Sequence, residues 1–240
     1  MRIFKVLLGV LCGEKIFMRE LGNIPVIAID GPSASGKGTV AQRVARELGF
    51  HYLDSGSLYR LVALAAQKHG VALDDETALA KLAQNLPVEF QSEEILMDGV
   101  RVTDGIRSET CATGASKVAA LPNVRLALLK RQRAFRKPPG LVAEGRDMSS
   151  TVFADARLKV FITASPEARA ERRYKQLMEK GMYASISTLL QEIKERDARD
   201  SKRPVAPLRQ DAGAGLLDTT ALSIDEAVAE VITRYRALVS

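Results

Sequence analysis

The sequence predicts an α/β fold, a parallel sheet of about five strands flanked by helices. Three observations carry that prediction. Short apolar runs such as Val26-Ile27-Ala28-Ile29 and Val160-Phe161-Ile162 have the composition of strands buried on both faces. Segments with helical periodicity alternate with those runs. One run leads through a glycine-rich turn, residues 31–38, straight into a helix.

The elements follow in order. Residues 1–23 read as an N-terminal extension, expected to be disordered. Arg2, Lys5 and a short apolar stretch resemble the start of a signal peptide only faintly, and no small-residue cleavage site follows. Residues 24–240 form a single domain. Ile24–Asp30 is a strand, and Gly38–Leu48 a helix with Val40, Val44 and Leu48 on one face. Phe50–Leu53 is a second short strand. Residues 57–68 are helical through the stripe Leu58, Leu61, Val62, Ala65. Asp74 or Asp75 caps a helix reaching about Asn85. Residues 88–91, 94–97 and 100–102 are strand-like, with the Asp98-Gly99 turn between two of them. They make a small antiparallel insertion. Pro122 suits the first position of a helix running to about 135. Leu141–Ala143 and Leu158–Ile162 are further buried strands. Ser165-Pro166-Glu167 opens a helix that should end at Gly181, and a second charged helix spans about 186–199. Leu216-Leu217 is a last strand. Ser223-Ile224-Asp225-Glu226 is a capping box for the C-terminal helix.

Composition sets outer bounds. With 240 residues, 46% hydrophobic and 27% charged, the chain is long and apolar enough for a full core, which excludes disorder, collagen and coiled coil as its main state. Cys12 and Cys111 lie far apart without metal-ligand spacing, so neither a disulfide framework nor a zinc site is expected. A reducing, cytoplasmic location is the default, and no apolar run reaches the roughly 18 residues of a membrane span. A net charge of +6, with 22 Arg against 13 Lys, fits an anionic ligand, whether nucleotide or nucleic acid.

The turn reads Gly31-Pro32-Ser33-Ala34-Ser35-Gly36-Lys37-Gly38-Thr39. A strand before it and a helix after it are the context of a phosphate-binding loop of the P-loop NTPase type. Glycines let backbone N–H groups close on phosphate oxygens, the helix N-terminus adds its positive end, and Lys37 brings a mobile charge to the outer phosphates. Gly38 stands in the slot usual for Ser or Thr. Thr39, one residue later, is therefore the candidate hydroxyl for Mg²⁺. A nucleoside triphosphate is the expected ligand, which does not yet separate a kinase from a GTPase, motor or helicase. A GTPase would carry N-K-x-D, yet none of Asn23, Asn85 or Asn123 precedes a lysine.

Three clusters rich in arginine and carboxylate complete the pattern: Asp54-Ser55-Gly56-Ser57-Leu58-Tyr59-Arg60, Glu144-Gly145-Arg146-Asp147, and Arg196 through Arg203. The first two follow strands, so both are expected at the crevice that holds the phosphate loop. Glu144 is read either as a water-mediated metal partner or as a brace for Arg146, Asp147 as a possible helix cap, and Arg125 as a possible surface charge. Tyr59, Phe50, Phe135 and Phe161 are read as packing residues.

With these residues the chain resembles the bacterial cytidylate kinases, among the nucleoside-monophosphate kinases. The resemblance rests on I-A-I-D-G-P-S-A-S-G-K-G-T (27–39), L-D-S-G-S-L-Y-R (53–60), A-S-K-V-A-A (115–120), L-L-K-R-Q-R-A-F (128–135), G-L-V-A-E-G-R-D-M (140–148) and E-I-K-E-R-D-A-R-D (192–200). It covers about 24–238 and leaves out the N-terminal extension. It implies transfer of the ATP γ-phosphoryl group to CMP or dCMP. Arg60, Arg125 and Arg146 would grip the acceptor phosphate, and Lys37, Arg146 and Arg196 would be the catalytic cations. Ser55 and Asp147 would accept from the cytosine amine, with Arg203 donating to the base. Ser116, Arg196 and Asp200 would hold the ribose. The family also implies a monophosphate-binding insertion at about 83–120 and a helical lid at about 166–203 carrying Arg169, Arg172, Arg173, Arg196, Arg199 and Arg203. Small-molecule substrates, no nucleic acid, no membrane and a monomer are expected. Two other readings stay open: a kinase for UMP, AMP or a small metabolite, and a nucleic-acid-binding protein using the basic stretch 130–137.

Overall fold

The computed structural model describes residues 24–239 apart from 92–93, 180 and 204, so the expectation of disorder over 1–23 lies outside the described residues. The first half of the chain runs β1 (Val26–Asp30), α1 (Lys37–Leu48), β2 (His51–Asp54), α2 (Ser55–His69), α3 (Glu76–Gln84), β3 (Val88–Gln91), β4 (Glu94–Met97), β5 (Val100–Arg101), α4 (Glu109–Val118) and α5 (Pro122–Arg133). The second half runs β6 (Leu141–Gly145), a π-type turn at Met148–Val152, β7 (Leu158–Thr163), α6 (Pro166–Glu179), α7 (Ile186–Ser201), β8 (Gly215–Asp218) and α8 (Ile224–Val239). Five strands form one sheet in the order β2-β6-β1-β7-β8, with every neighbour parallel. The insertion is the separate antiparallel sheet β3-β4-β5.

Strand alternation sorts the core into two layers. Val26 and Ala28 of β1, with Leu141 and Ala143 of β6, face a cluster holding Leu58, Leu61, Leu79 and Leu128. Ile27, Ile29 and Val142 face the opposite cluster, with Val40 and Val44 of α1 and Val231 of α8. All five β1 residues are buried, as a central strand covered on both faces requires. The α6–α7 hairpin has its own small core of Ala170, Leu189 and Ile193.

Two elements differ from the sequence expectation. Helix α4 carries Thr, Cys and Gly, and its sequence offers weak helical propensity. Packing on α2 supplies the difference: a side chain at Gly114 would come within 3.2 Å of Ala63, so the glycine permits the close helix contact. Ser108 caps it by accepting the Cys111 N–H. The π-type turn is the second. Asp147 does not cap it with its side chain. Asp30, at the end of β1, accepts the N–H groups of Met148 and Ser149 at 2.8 Å each and the Ser149 hydroxyl at 2.6 Å. In the basic stretch 130–137, Arg131 donates to the Leu86 carbonyl, Arg133 to Val152, and Arg136 to Ile24 and Asp155. Arg131 and Arg136 are half-buried, so part of this stretch braces the domain instead of forming an open basic face, and the nucleic-acid reading is not favoured.

Asp30→Asn keeps the shape but offers one acceptor oxygen where three donors converge. It should lower unfolding free energy by about 2 kcal/mol in urea denaturation. A change within about 0.5 kcal/mol, the range of a neutral surface substitution, would show that the turn is held by something else.

Candidate active site

Because the five strands are parallel, their carboxyl ends meet along one edge, and the loops after β1, β2, β6, β7 and β8 share it. The loop after β1 passes so close to β7 that a Cβ at Gly31 would sit 2.0 Å from the Ile162 carbonyl oxygen. Gly36 closes the loop with φ of 86°, a conformation that favours glycine, and Lys37 begins α1. The loop is held from outside. The Ser35 carbonyl accepts from Thr219 Oγ1 at 3.1 Å and from Arg172 at 3.3 Å, and the Ser33 carbonyl accepts from Arg169 at 3.2 Å. Arg169 is 3% exposed and also binds both carboxylate oxygens of Asp197, on α7, and the Ala164 carbonyl. Arg169 and Arg172, expected on a lid, are therefore engaged at the root of the loop.

Lys37 Nζ lies 3.2 Å from Glu144 Oε2, and the Tyr52 hydroxyl donates to Glu144 Oε1 at 3.1 Å. A Cβ at position 38 would meet Glu144 Oε1 at 2.9 Å. The glycine in the usual Ser/Thr slot is thus the space this carboxylate occupies. Glu144 braces Lys37, whereas Arg146 turns to Asp200 at 2.9 Å. Burial is the main influence lowering the Lys37 pKa; the Arg146 charge adds to it, and Glu144 and Asp54 oppose it. Burial, then the Glu144 charge, pushes the Asp54 carboxyl up to about 6 against the pull of Lys37. Asp54 also caps α2 by accepting the Ser57 N–H.

One cavity joins these groups to the arginine clusters. Ser55, Arg60, Ser116 and Arg125 line it from α2, α4 and α5; Arg146 and Asp147 line it from the loop after β6; Arg196, Asp200 and Arg203 line it from α7 and beyond; Lys37 enters from the phosphate loop. Arg60 donates to the Ile106 carbonyl, and Arg125 donates to Ala119. Arg125 also pairs with Asp147 and lies 5.6 Å from the centre of the Tyr59 ring, so it is an enclosed residue rather than a surface charge. Arg203 pairs with Asp200. The buried Ser116 hydroxyl has no hydrogen-bond partner among the described residues. Thr39 is exposed and stands outside the cavity lining. Sequence reasoning missed Tyr52 and gave no role to Asp30, at the end of β1, or to Asp54, which it named only as part of a cluster.

A phosphate loop at the carboxyl edge, facing a second set of enclosed arginines, offers two anionic ligands one cavity. That is the plan of a small phosphotransferase acting on nucleotides. Sequence comparison narrows the class: the family described as cytidylate kinase matches residues 27–237, and the chain belongs to that family. The cytidylate kinase of Chromobacterium violaceum is 60% identical over 210 residues, covering 88% of this chain and 95% of its own. That of Burkholderia cenocepacia is 59% identical over 220 residues, covering 92% and 96%. That of Paraburkholderia phymatum is 57% identical over 221 residues, covering 92% and 97%.

Burial works to raise the Asp200 carboxyl, but Arg146 and Arg203 outweigh it and hold it below the usual carboxylate range. A depressed folded pKa stabilises at any pH above the unfolded value of about 3.9, and the benefit is lost as pH falls through the lower folded value. Asp200→Asn should therefore cost about 3 kcal/mol near neutral pH and converge with the wild type in acid, read by urea denaturation across that range. Parallel curves at all pH values would show that the carboxylate adds nothing through its charge.

Proposed function

We propose that the protein transfers the γ-phosphoryl group of ATP to CMP or dCMP, yielding ADP and the diphosphate. The observation that carries this reading is the single cavity in which Lys37 of the phosphate loop meets Arg60, Arg125, Arg146, Arg196 and Arg203. Phosphoryl transfer asks the protein for alignment and charge neutralisation. The loop backbone, residues 31–39, and Lys37 hold the donor phosphates. Arg60, Arg125 and Arg146 orient the acceptor phosphate by planar, multidentate donation, while Arg196 adds charge from α7. Ser55 and Asp147 accept from an exocyclic amine, which uracil lacks, and Arg203 donates to the base. Ser116, Arg196 and Asp200 take the ribose; the Ser116 hydroxyl, without a hydrogen-bond partner among the described residues, supports that role.

Among the described residues no cluster of three or more His, Cys, Asp or Glu is placed to hold a metal by itself. The enclosed carboxylates of Asp54 and Glu144 beside Lys37, and the exposed Thr39 hydroxyl, are oxygen donors of the kind Mg²⁺ takes. They fit an ion that arrives with the nucleotide and keeps phosphate and water as its main ligands. When bound, Mg²⁺ would neutralise charge on the donor phosphates. The α6–α7 hairpin serves as the lid, excluding water on closure, and the β3–β5 sheet belongs to the monophosphate-binding insertion. The protein acts as a cytoplasmic monomer.

An ADP-release assay over CMP, dCMP, UMP and AMP tests the assignment. Specificity for CMP and dCMP should exceed that for the others by about two orders of magnitude or more. Equal use of UMP would keep a kinase and remove the cytosine contacts. No turnover with any monophosphate would remove the kinase. Asp147→Ala should narrow the CMP-to-UMP ratio and, by freeing Arg125 from its partner, also raise the KM for CMP.

A further inference from the structure

The structure assigns to Tyr52 the role of a positioning residue for the phosphate-loop lysine: its hydroxyl fixes the Glu144 carboxylate so that one oxygen is presented to Lys37. The inference rests on the kinase reading above and extends it to a residue outside the glycine-rich loop and the arginine clusters.

Strand register sets the arrangement. In the ladder between β2 and β6, Tyr52 stands opposite Val142 and Asp54 opposite Glu144. Side chains two apart on a strand share a face, so Tyr52, Val142 and Glu144 lie on the side covered by α1. The Tyr52 ring packs against the core that includes Val40, Val44 and Val142. Anchored there, its hydroxyl reaches along the strand to Glu144 Oε1 at 3.1 Å, while Oε2 lies 3.2 Å from Lys37 Nζ. The carboxylate is thus gripped at both ends, by a neutral donor and a cation. The missing side chain at Gly38 provides its space.

The neutrality of the phenol matters. An ammonium or guanidinium in its place would satisfy Oε1 equally well but compete with Lys37 for the negative charge. A phenol donates one hydrogen bond and leaves that charge for the lysine. A phenylalanine would pack equally well but leave Oε1 without a donor in a largely enclosed site. The carboxylate could then rotate, and Lys37 would lose its fixed counter-charge and with it the position from which it meets the donor phosphates.

Tyr52→Phe tests this without disturbing the packing. Its melting temperature should fall by no more than a few degrees, the cost of one unmet acceptor. Its kcat should fall about tenfold, its affinity for ATP measured by calorimetry should weaken several-fold, and its KM for CMP should hold, because the acceptor arginines are elsewhere. In a Glu144→Gln background the same change should add little, since the two residues act in series. Unchanged kcat and ATP affinity would overturn the assignment. So would an effect confined to the KM for CMP, or a full additional loss in the Glu144→Gln background. The ATP titration separates the two hypotheses: a wild type that binds ATP but turns over no monophosphate refutes the kinase reading, while the affinity difference between wild type and Tyr52→Phe still decides the role of Tyr52.

Discussion

The domain depends on a buried carboxylate at the centre of its sheet. Asp30 ends the middle strand, immediately before the phosphate loop, and binds the first turn after Arg146 and Asp147 through three hydrogen bonds. Burial pushes its carboxyl upward, while the Ser149 and Met148 donors oppose that shift. The cost of enclosing this group is offset only if the donors stay in place. Donor and acceptor loops, which come from strands far apart in sequence, are therefore set against each other by one side chain. The alternative, two loops independently positioned, would allow the ångström-scale drift that in-line transfer tolerates poorly.

Five cations in and beside the cavity stand on acidic partners. Lys37 stands on Glu144, Arg125 on Asp147, Arg146 and Arg203 on Asp200, and Arg169 on Asp197. Enclosed cations without counter-charges would repel one another and favour unfolding. The acidic partners remove that cost while leaving donors facing the cavity. An arriving phosphate then meets donors already oriented, in a lining whose six cations outnumber its four carboxylates, and little reorganisation is required when charge develops.

Much of this was legible in the sequence because it rests on local pattern. Apolar runs give the buried strands, glycine spacing gives the phosphate loop, and Gly181 stops α6 through its left-handed φ of 70°. The arginine clusters were legible as clusters because each follows a strand or ends a helix. What stayed hidden depends on contacts between distant segments. Helix α4 has weak propensity and is made by packing on α2, so its own residues carry no strong signal. Local pattern left Arg125 readable as a surface charge; only the family resemblance placed it at the acceptor phosphate, and its contacts with Asp147 and Tyr59 come from distant segments. Tyr52 alternates like any strand residue, and nothing local tells that its hydroxyl meets a carboxylate 92 positions away.

The α6–α7 hairpin has a further consequence, for how the molecule comes apart. Its private core of Ala170, Leu189 and Ile193 is small, while the sheet is buried on both faces by large clusters. Elements with few enclosed apolar side chains open at lower free energy than the body they join. The hairpin should therefore open at a lower free energy than the sheet. Its bidentate Arg169–Asp197 pair, which also reaches the Ser33 carbonyl, couples that opening to the shape of the phosphate loop.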